Sequence, residues 1–221
     1  SLSGETIDYG PCAFLDEYNP NKVFSSIDHN GRYSFNNQPK IALWNLARLA
    51  ETFLYLIDYD ENSAIKKIEQ VLKNLEIKYF DLWISMMKKK LNINQMHKED
   101  INLIKELLDI MHVFKLDYTN TFIDIENNNI DKYIFIKDWK IKFDERKKLN
   151  KNKEKDIDIN PYIIPRNHII DKILKESENN IFSNLDKIID ILKNPYSHNL
   201  PKKYTEPPNE EEKIHQTFCG T

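Results

Sequence analysis

The sequence predicts a mainly α-helical fold, and three observations carry that prediction. Apolar residues recur at helical spacing at Ile65, Ile68, Leu72, Leu75 and Tyr79. They do so again at Ile101, Ile104, Leu108 and Met111. Nearer the C-terminus, Ser183 and Asp186 form an S-x-x-D capping pattern ahead of Leu185, Ile188, Ile189 and Leu192, and Asn194-Pro195 stops that helix.

Taken in chain order, residues 1–40 are rich in aromatic, Asp, Asn and Pro residues without sustained periodicity. They read as a strand end followed by a long ordered loop. Pro39 then precedes Ile41 to Ile57, apolar almost throughout except at Asn45, Arg48, Glu51 and Thr52. At ~100° per residue these four fall within an arc of about 120°. The pattern predicts the most buried helix of the chain, its polar stripe turned toward the Asp8 to Pro39 loop, where buried polar groups find partners. Residues 126–158 include ENNNIDKY and KKLNKNKEKDID, dense in charge with little to bury, and read as a polar low-complexity insertion. Within it Tyr133, Ile134, Phe135 and Trp139 could make one short packed element. His168 to Leu174 suggests a further helix, and Pro201 to Thr221, with Pro207-Pro208 and Glu210-Glu211-Glu212, reads as an extended, solvated tail.

Composition narrows the function. With 221 residues, 32 Lys and Arg against 35 Asp and Glu and a net charge of -3, no global basic excess points to nucleic acid. Glycine occurs only at Gly4, Gly10, Gly31 and Gly220. Neither a dinucleotide G-x-G-x-x-G nor a G-x-x-x-x-G-K-[ST] phosphate loop can be written with those positions. Cys12 and Cys219 lack C-x-x-C spacing, which speaks against a zinc site and a disulfide framework. No apolar run approaches the ~20 residues of a membrane span, and the opening SLSGETIDYG has neither a basic leader nor an apolar signal core. A soluble chain with no membrane partner is expected.

Single motifs say little. Ile7-Asp8-Tyr9-Gly10 has the shape of a metal-binding Asp at a strand-to-loop corner, although Asp-x-Gly is also a common turn. Asp28-His29 could be an acid/base pair, yet His29 has no second His at ligand spacing. The run Lys147, Lys148, Lys151, Lys153 and Lys155 could attract phosphate, but acidic and Asn residues interrupt it. The order of the motifs says more. DYGP at Asp8, FLDEYNP at Phe14, SIDHNGRYSFNNQP at Ser26 and WNLARLAE at Trp44 resemble, in sequence and spacing, the corresponding run of the selenoprotein O family. The likeness continues through Asp117-Tyr118-Thr119, Asp138-Trp139, NPYIIPRN at Asn160, NPY at Asn194, YTEPP at Tyr204 and the terminal Cys219-Gly220-Thr221.

The resemblance implies the C-terminal portion of a protein-kinase-like fold. It would comprise a C-lobe part over residues 1–125, the insertion at 126–158 and a helical C-terminal extension at 159–221. It further implies transfer of AMP from ATP to Ser, Thr or Tyr hydroxyls of proteins, with Mg²⁺ as cofactor and Asp8 as the ATP- and metal-binding residue. The catalytic Asp-Asn pair would lie just before Ser1, so the chain alone is expected to be inactive. Cys219 sits where the family carries a redox-active Cys or selenocysteine; the position of its usual partner is filled by Phe24, which leaves Cys12 or a free thiol. Location would be mitochondrial in a eukaryote and cytoplasmic in a bacterium. The rival expectation is a noncatalytic pseudokinase scaffold that binds a partner protein.

Overall fold

The computed structural model describes residues 13–94, 97–150 and 159–215. Nine α-helices occur among them: α1 Gln38–Glu51, α2 Leu54–Ile57, α3 Glu61–Lys90, α4 Asp100–Val113, α5 Tyr118–Glu126, α6 Lys137–Lys148, α7 Asn167–Glu178, α8 Ser183–Leu192 and α9 Lys202–Thr205. No strand is present among the described residues, and the only sheet-like pairing there is one antiparallel bridge, Glu17 to Asp117. The mainly α expectation holds.

Local chemistry sets where these helices start and stop. Asp60 caps α3 by accepting from the Ser63 amide at 3.1 Å, and Asp117 caps α5 by accepting from the Asn120 amide at 2.7 Å. In a chain so short of glycine, the left-handed residue that ends a helix is Asn in three cases: Asn92 after α3, Asn128 after α5 and Asn180 after α7, at φ 53, 56 and 60°. Asn tolerates that region better than other side chains. Lys115 takes the same role after α4 at φ 51°. Ser183 departs from its predicted role: it is the first residue of α8, follows the N-cap Phe182 and makes no capping hydrogen bond.

The principal core joins the end of α3 to α4, α5 and α6. Met87, Ile104, Leu107, Met111, Phe122 and Trp139 are fully buried at its centre. Trp139 also donates from its indole nitrogen to the Leu103 carbonyl at 2.9 Å, which satisfies its buried N–H. Within residues 126–158, the short packed element expected around Trp139 is present and longer than expected, because α6 buries Trp139, Phe143 and Arg146 and the turns before it bury Ile130 and Ile136. Charge density misled: the buried residues at 139, 143 and 146 share one face, and the charges occupy the others. Arg146 is neutralised by Asp100, with Nε 2.5 Å from one carboxylate oxygen and a second nitrogen 3.1 Å from the other.

A smaller core, made by Ile163, Ile173, Ile188 and Tyr204, holds α7 and α8 together and reaches α9. The predicted solvated tail is thus anchored at Tyr204, because its ring fills a gap in that core.

The expectation for Ile41 to Ile57 is overturned. The segment is split into α1 and α2, neither of which contains a buried residue. Its polar stripe faces outward, Arg48 pairing with Glu51 at 2.5 Å while both side chains stay half exposed. Burial needs a second surface. Among the described residues the main contacts of α1 are with α3 and the 3₁₀ turn at Phe35–Asn37.

Candidate functional site

Asp8, Cys12 and Cys219 lie outside the described residues. The segment that follows Asp8 is described from Ala13 onward, and it is held at successive points. The Phe14 amide donates to the Asn167 side-chain oxygen and the Phe14 carbonyl accepts from its side-chain nitrogen, both at 2.9 Å. The Asp16 carbonyl accepts from the Tyr118 amide at 2.7 Å, and the Tyr18 amide donates to the Leu116 carbonyl at 2.8 Å. The Tyr18 ring stacks on Tyr118 with centroids 5.7 Å apart, and Phe35 meets both edge-on.

Arg166 closes this junction. Its side chain is 1% exposed. One terminal nitrogen donates to Asp16 at 2.5 Å and to Asp117 at 2.7 Å. The other reaches Asp117 and Asn120, each at 3.3 Å, and the Thr205 carbonyl at 3.0 Å. Its Nε is buried without a partner among the described residues. A planar fork with several fixed donors suits such a site, where an ammonium would not.

The electrostatics are unequal across the junction. Burial works against the Arg166 charge, but hydrogen bonds and the charges of Asp117 and Asp16 outweigh it and hold the guanidinium above its ordinary pKa. Burial pushes the Asp16 carboxyl up; Arg166 pulls the other way and the charge of Asp117 reinforces the rise. The two carboxylates compete for one nitrogen, and Asp117 alone has the second. His168, two residues after Arg166, is lowered chiefly by burial, and its Nδ1 is buried without a partner among the described residues. Lys213 extends the junction toward the C-terminus through a 2.8 Å contact with Glu17.

Other sequence candidates prove structural. The two Asp28 oxygens accept from the Arg32 and Tyr33 amides, each at 2.8 Å, around Gly31 at φ 62°. Asp28 therefore shapes a turn that needs glycine, while His29 is exposed. Phe24 packs near Phe35 and, with Phe14, Ile27 and Tyr33, lines a cavity of about 730 Å³. Lys147 and Lys148 end α6; Lys151, Lys153 and Lys155 lie outside the described residues. Among the described residues no group of three or more His, Cys, Asp or Glu could hold a metal ion. No described helix is long and apolar enough to cross a membrane. Sequence reasoning quoted Asp117 and Arg166 only as parts of motifs; no local signal marks Asp16, Asp117 and Arg166 as partners.

Four separated motifs, DEYNP, DYT, PRN and YTEPP, thus meet at the buried Arg166 junction of a helical domain. The model of the protein adenylyltransferase SelO family matches residues 1–193, and the chain belongs to that family. It is 44% identical over 232 residues to "Protein nucleotidyltransferase YdiU" of Pelagibacter ubique, a match that covers 100% of this chain and 48% of the relative. The proteins of the same name from Clostridium perfringens and Bacillus cereus are 39% and 40% identical, again over 100% of this chain and 47% and 48% of their own lengths. The chain spans about half the length of the curated relatives it matches.

Proposed function

We propose that this chain is the C-terminal, kinase-like half of a protein adenylyltransferase that moves AMP from ATP to Ser, Thr or Tyr hydroxyls of other proteins. The observation that carries this is the match along the entire chain to half of proteins named as nucleotidyltransferases. In the reaction a hydroxyl oxygen bonds to the α-phosphorus, the bond to pyrophosphate breaks and the hydroxyl proton passes to a base. Asp8 is the ATP- and metal-binding residue of this reading. A metal ion in such a site needs only one or two carboxylates beside the nucleotide phosphates, and Asp8 is the one this reading assigns. The part of the described residues is positional: Asn167, Tyr118 and Leu116 hold the backbone from Phe14 to Tyr18, which begins six residues beyond Asp8, and Arg166 holds the Asp16 side chain. Catalysis of this kind depends on a closed set of positioned charges, so the 221-residue chain alone is inactive in this reading. The bacterial origin of the relatives supports a cytoplasmic setting, and Cys219 remains the candidate redox residue.

The test is AMP transfer from labelled ATP, with and without Mg²⁺, by a full-length polypeptide containing this chain, by its Asp8→Ala variant and by the chain alone. Label should enter protein only with the full-length wild type and Mg²⁺. Equal transfer by the Asp8→Ala variant removes Asp8 from the mechanism, and no transfer by any form favours a noncatalytic scaffold.

A further inference from the structure

The C-terminal ends of α3, α5 and α6 meet Ile159 and Asn160 around a cavity of about 290 Å³. Lys89, Lys90 and Lys147 stand on its wall with one carboxylate, that of Glu126. Among the described residues none of the three lysines makes an ion pair. Lys147 lies over the Phe143 ring, 5.3 Å from its centroid. Lys90 is the most enclosed: its Nζ is 4.7 Å from the Phe122 ring centroid and 5.5 Å from that of Tyr118, and it donates to the Asn160 side-chain oxygen at 3.2 Å. An ammonium has three donors, and this is the one hydrogen bond its described surroundings supply. Burial pushes the Lys90 pKa down, while the charge of Glu126 pulls the other way.

Lysines at helix C-termini often serve the last carbonyls, but here those acceptors already have partners. The Lys89 carbonyl accepts from the Asn92 amide at 2.9 Å, the Lys90 carbonyl from the Asn160 side-chain nitrogen at 2.9 Å and the Ile125 carbonyl from the Asn128 amide at 3.2 Å. Glu126 accepts from that same Asn160 nitrogen at 3.0 Å. Three ammonium groups against one carboxylate leave a surplus of two positive charges around the cavity. We propose that the cavity binds a small dianion of the phosphate class, with Lys89, Lys90 and Lys147 as its charge partners. A dianion matches the surplus, supplies the acceptors that Lys90 lacks and favours its charged form against burial. The volume lies at the lower edge of small-ligand clefts, about 300 Å³, which suits orthophosphate or the phosphate end of a small ester rather than a nucleotide. The inference does not rest on AMP transfer, since its readout is binding.

The test titrates orthophosphate and, separately, glycerol phosphate into a full-length polypeptide containing this chain, by calorimetry at low ionic strength where charge contacts are least screened. Saturable binding is expected, and the tighter of the two anions tells the free ion from the ester as occupant. Lys89→Gln with Lys147→Gln should weaken that binding at least about tenfold. Lys105→Gln with Lys187→Gln removes the same charge from two exposed sites and should leave the affinity within about twofold. Circular dichroism checks that each variant folds; if the pocket pair does not, Lys89→Gln alone, at an exposed position, should weaken binding by about threefold or more. No saturable binding of either anion, unchanged affinity in the pocket variant, or an equal loss in the control pair would each overturn the proposal, the last by reducing binding to the overall field of the protein.

Discussion

Arg166 donates through both terminal nitrogens to Asp117, at 2.7 and 3.3 Å, across 49 residues of chain. Removing the guanidinium leaves Asp117 and Asp16 facing each other with little solvent. Arg166→Met is therefore expected to destabilise the chain by about 3–5 kcal/mol. Arg166→Lys keeps the charge and loses the fork, so it should fall between wild type and Met. Urea unfolding of the three proteins checks the order; a Lys variant as stable as wild type would reduce the junction to simple charge pairing.

Asp16 should make stability depend on pH. Asp16 has a native pKa raised above the ordinary 3.8, chiefly by burial, so the native state holds its proton longer than the unfolded chain does. Its contribution to stability is then full below 3.8 and declines as pH rises through the native value. Relative to Asp16→Asn, the wild type should lose stability with rising pH across that window and run parallel above it. Thermal midpoints of both proteins from pH 3 to 8, a range of about five units chosen to bracket ordinary carboxyl titration, make the comparison. Parallel curves throughout would remove Asp16 as a titrating group. Asp117→Ala should cost more than Asp16→Asn at neutral pH, since it also removes the α5 cap, worth about 1 kcal/mol.

Trp139 is wholly buried and makes a hydrogen bond through its indole nitrogen. Trp139→Ala is expected to cost about 3–5 kcal/mol through the cavity it opens. Trp139→Phe should cost less, about 1 kcal/mol for the lost indole hydrogen bond together with the packing given up by the smaller ring. Chemical denaturation reads both, and a neutral Trp139→Ala would return α6 to the status of a dispensable insertion.

Arg146 and Asp100 test the second buried ion pair. Arg146→Met alone strands a carboxylate that is 0% exposed and should destabilise by about 3–5 kcal/mol. Adding Asp100→Asn should recover part of that loss, because the amide oxygen can still accept from the His97 amide, now 2.9 Å from the Asp100 carboxylate. A double variant no better than the single would show that Asp100 is not the residue strained by the loss of Arg146.

These residues also mark how far the sequence could be read. Helices α3, α4, α7 and α8 were legible because apolar spacing is a local signal, and the period that placed Leu75 and Tyr79 on a helix is seen in α3. Helix α6 was not, because Asp138, Lys140, Asp144 and Lys148 mask the spacing of Trp139, Phe143 and Arg146 unless charge and burial are allowed on one helix. The Arg146–Asp100 and Arg166–Asp16 pairs join residues 46 and 150 positions apart, a distance no local pattern reports. For α1 the composition was read as burial, which depends on what packs against the helix as well as on the helix itself. Of the candidate site, the sequence supplied Asp8 by resemblance, and the residues that fix the chain beyond it emerged only in three dimensions.

The separations at Arg166 carry a kinetic consequence. The cores of α3–α6 and α7–α8 form largely from contacts nearby in sequence, whereas tying Arg166 to Asp16 closes a loop of 150 residues and tying it to Asp117 a loop of 49. The longer closure costs about 1 kcal/mol more in chain entropy. Contact order then places the docking of Phe14 to Tyr18 last on the folding path. In pulse-labelled hydrogen exchange the Phe14 and Tyr18 amides should gain protection after those of α4; simultaneous protection would contradict this order. The strand of chain nearest Asp8 would accordingly be the last part to assemble and, on the reverse path, the first to come away.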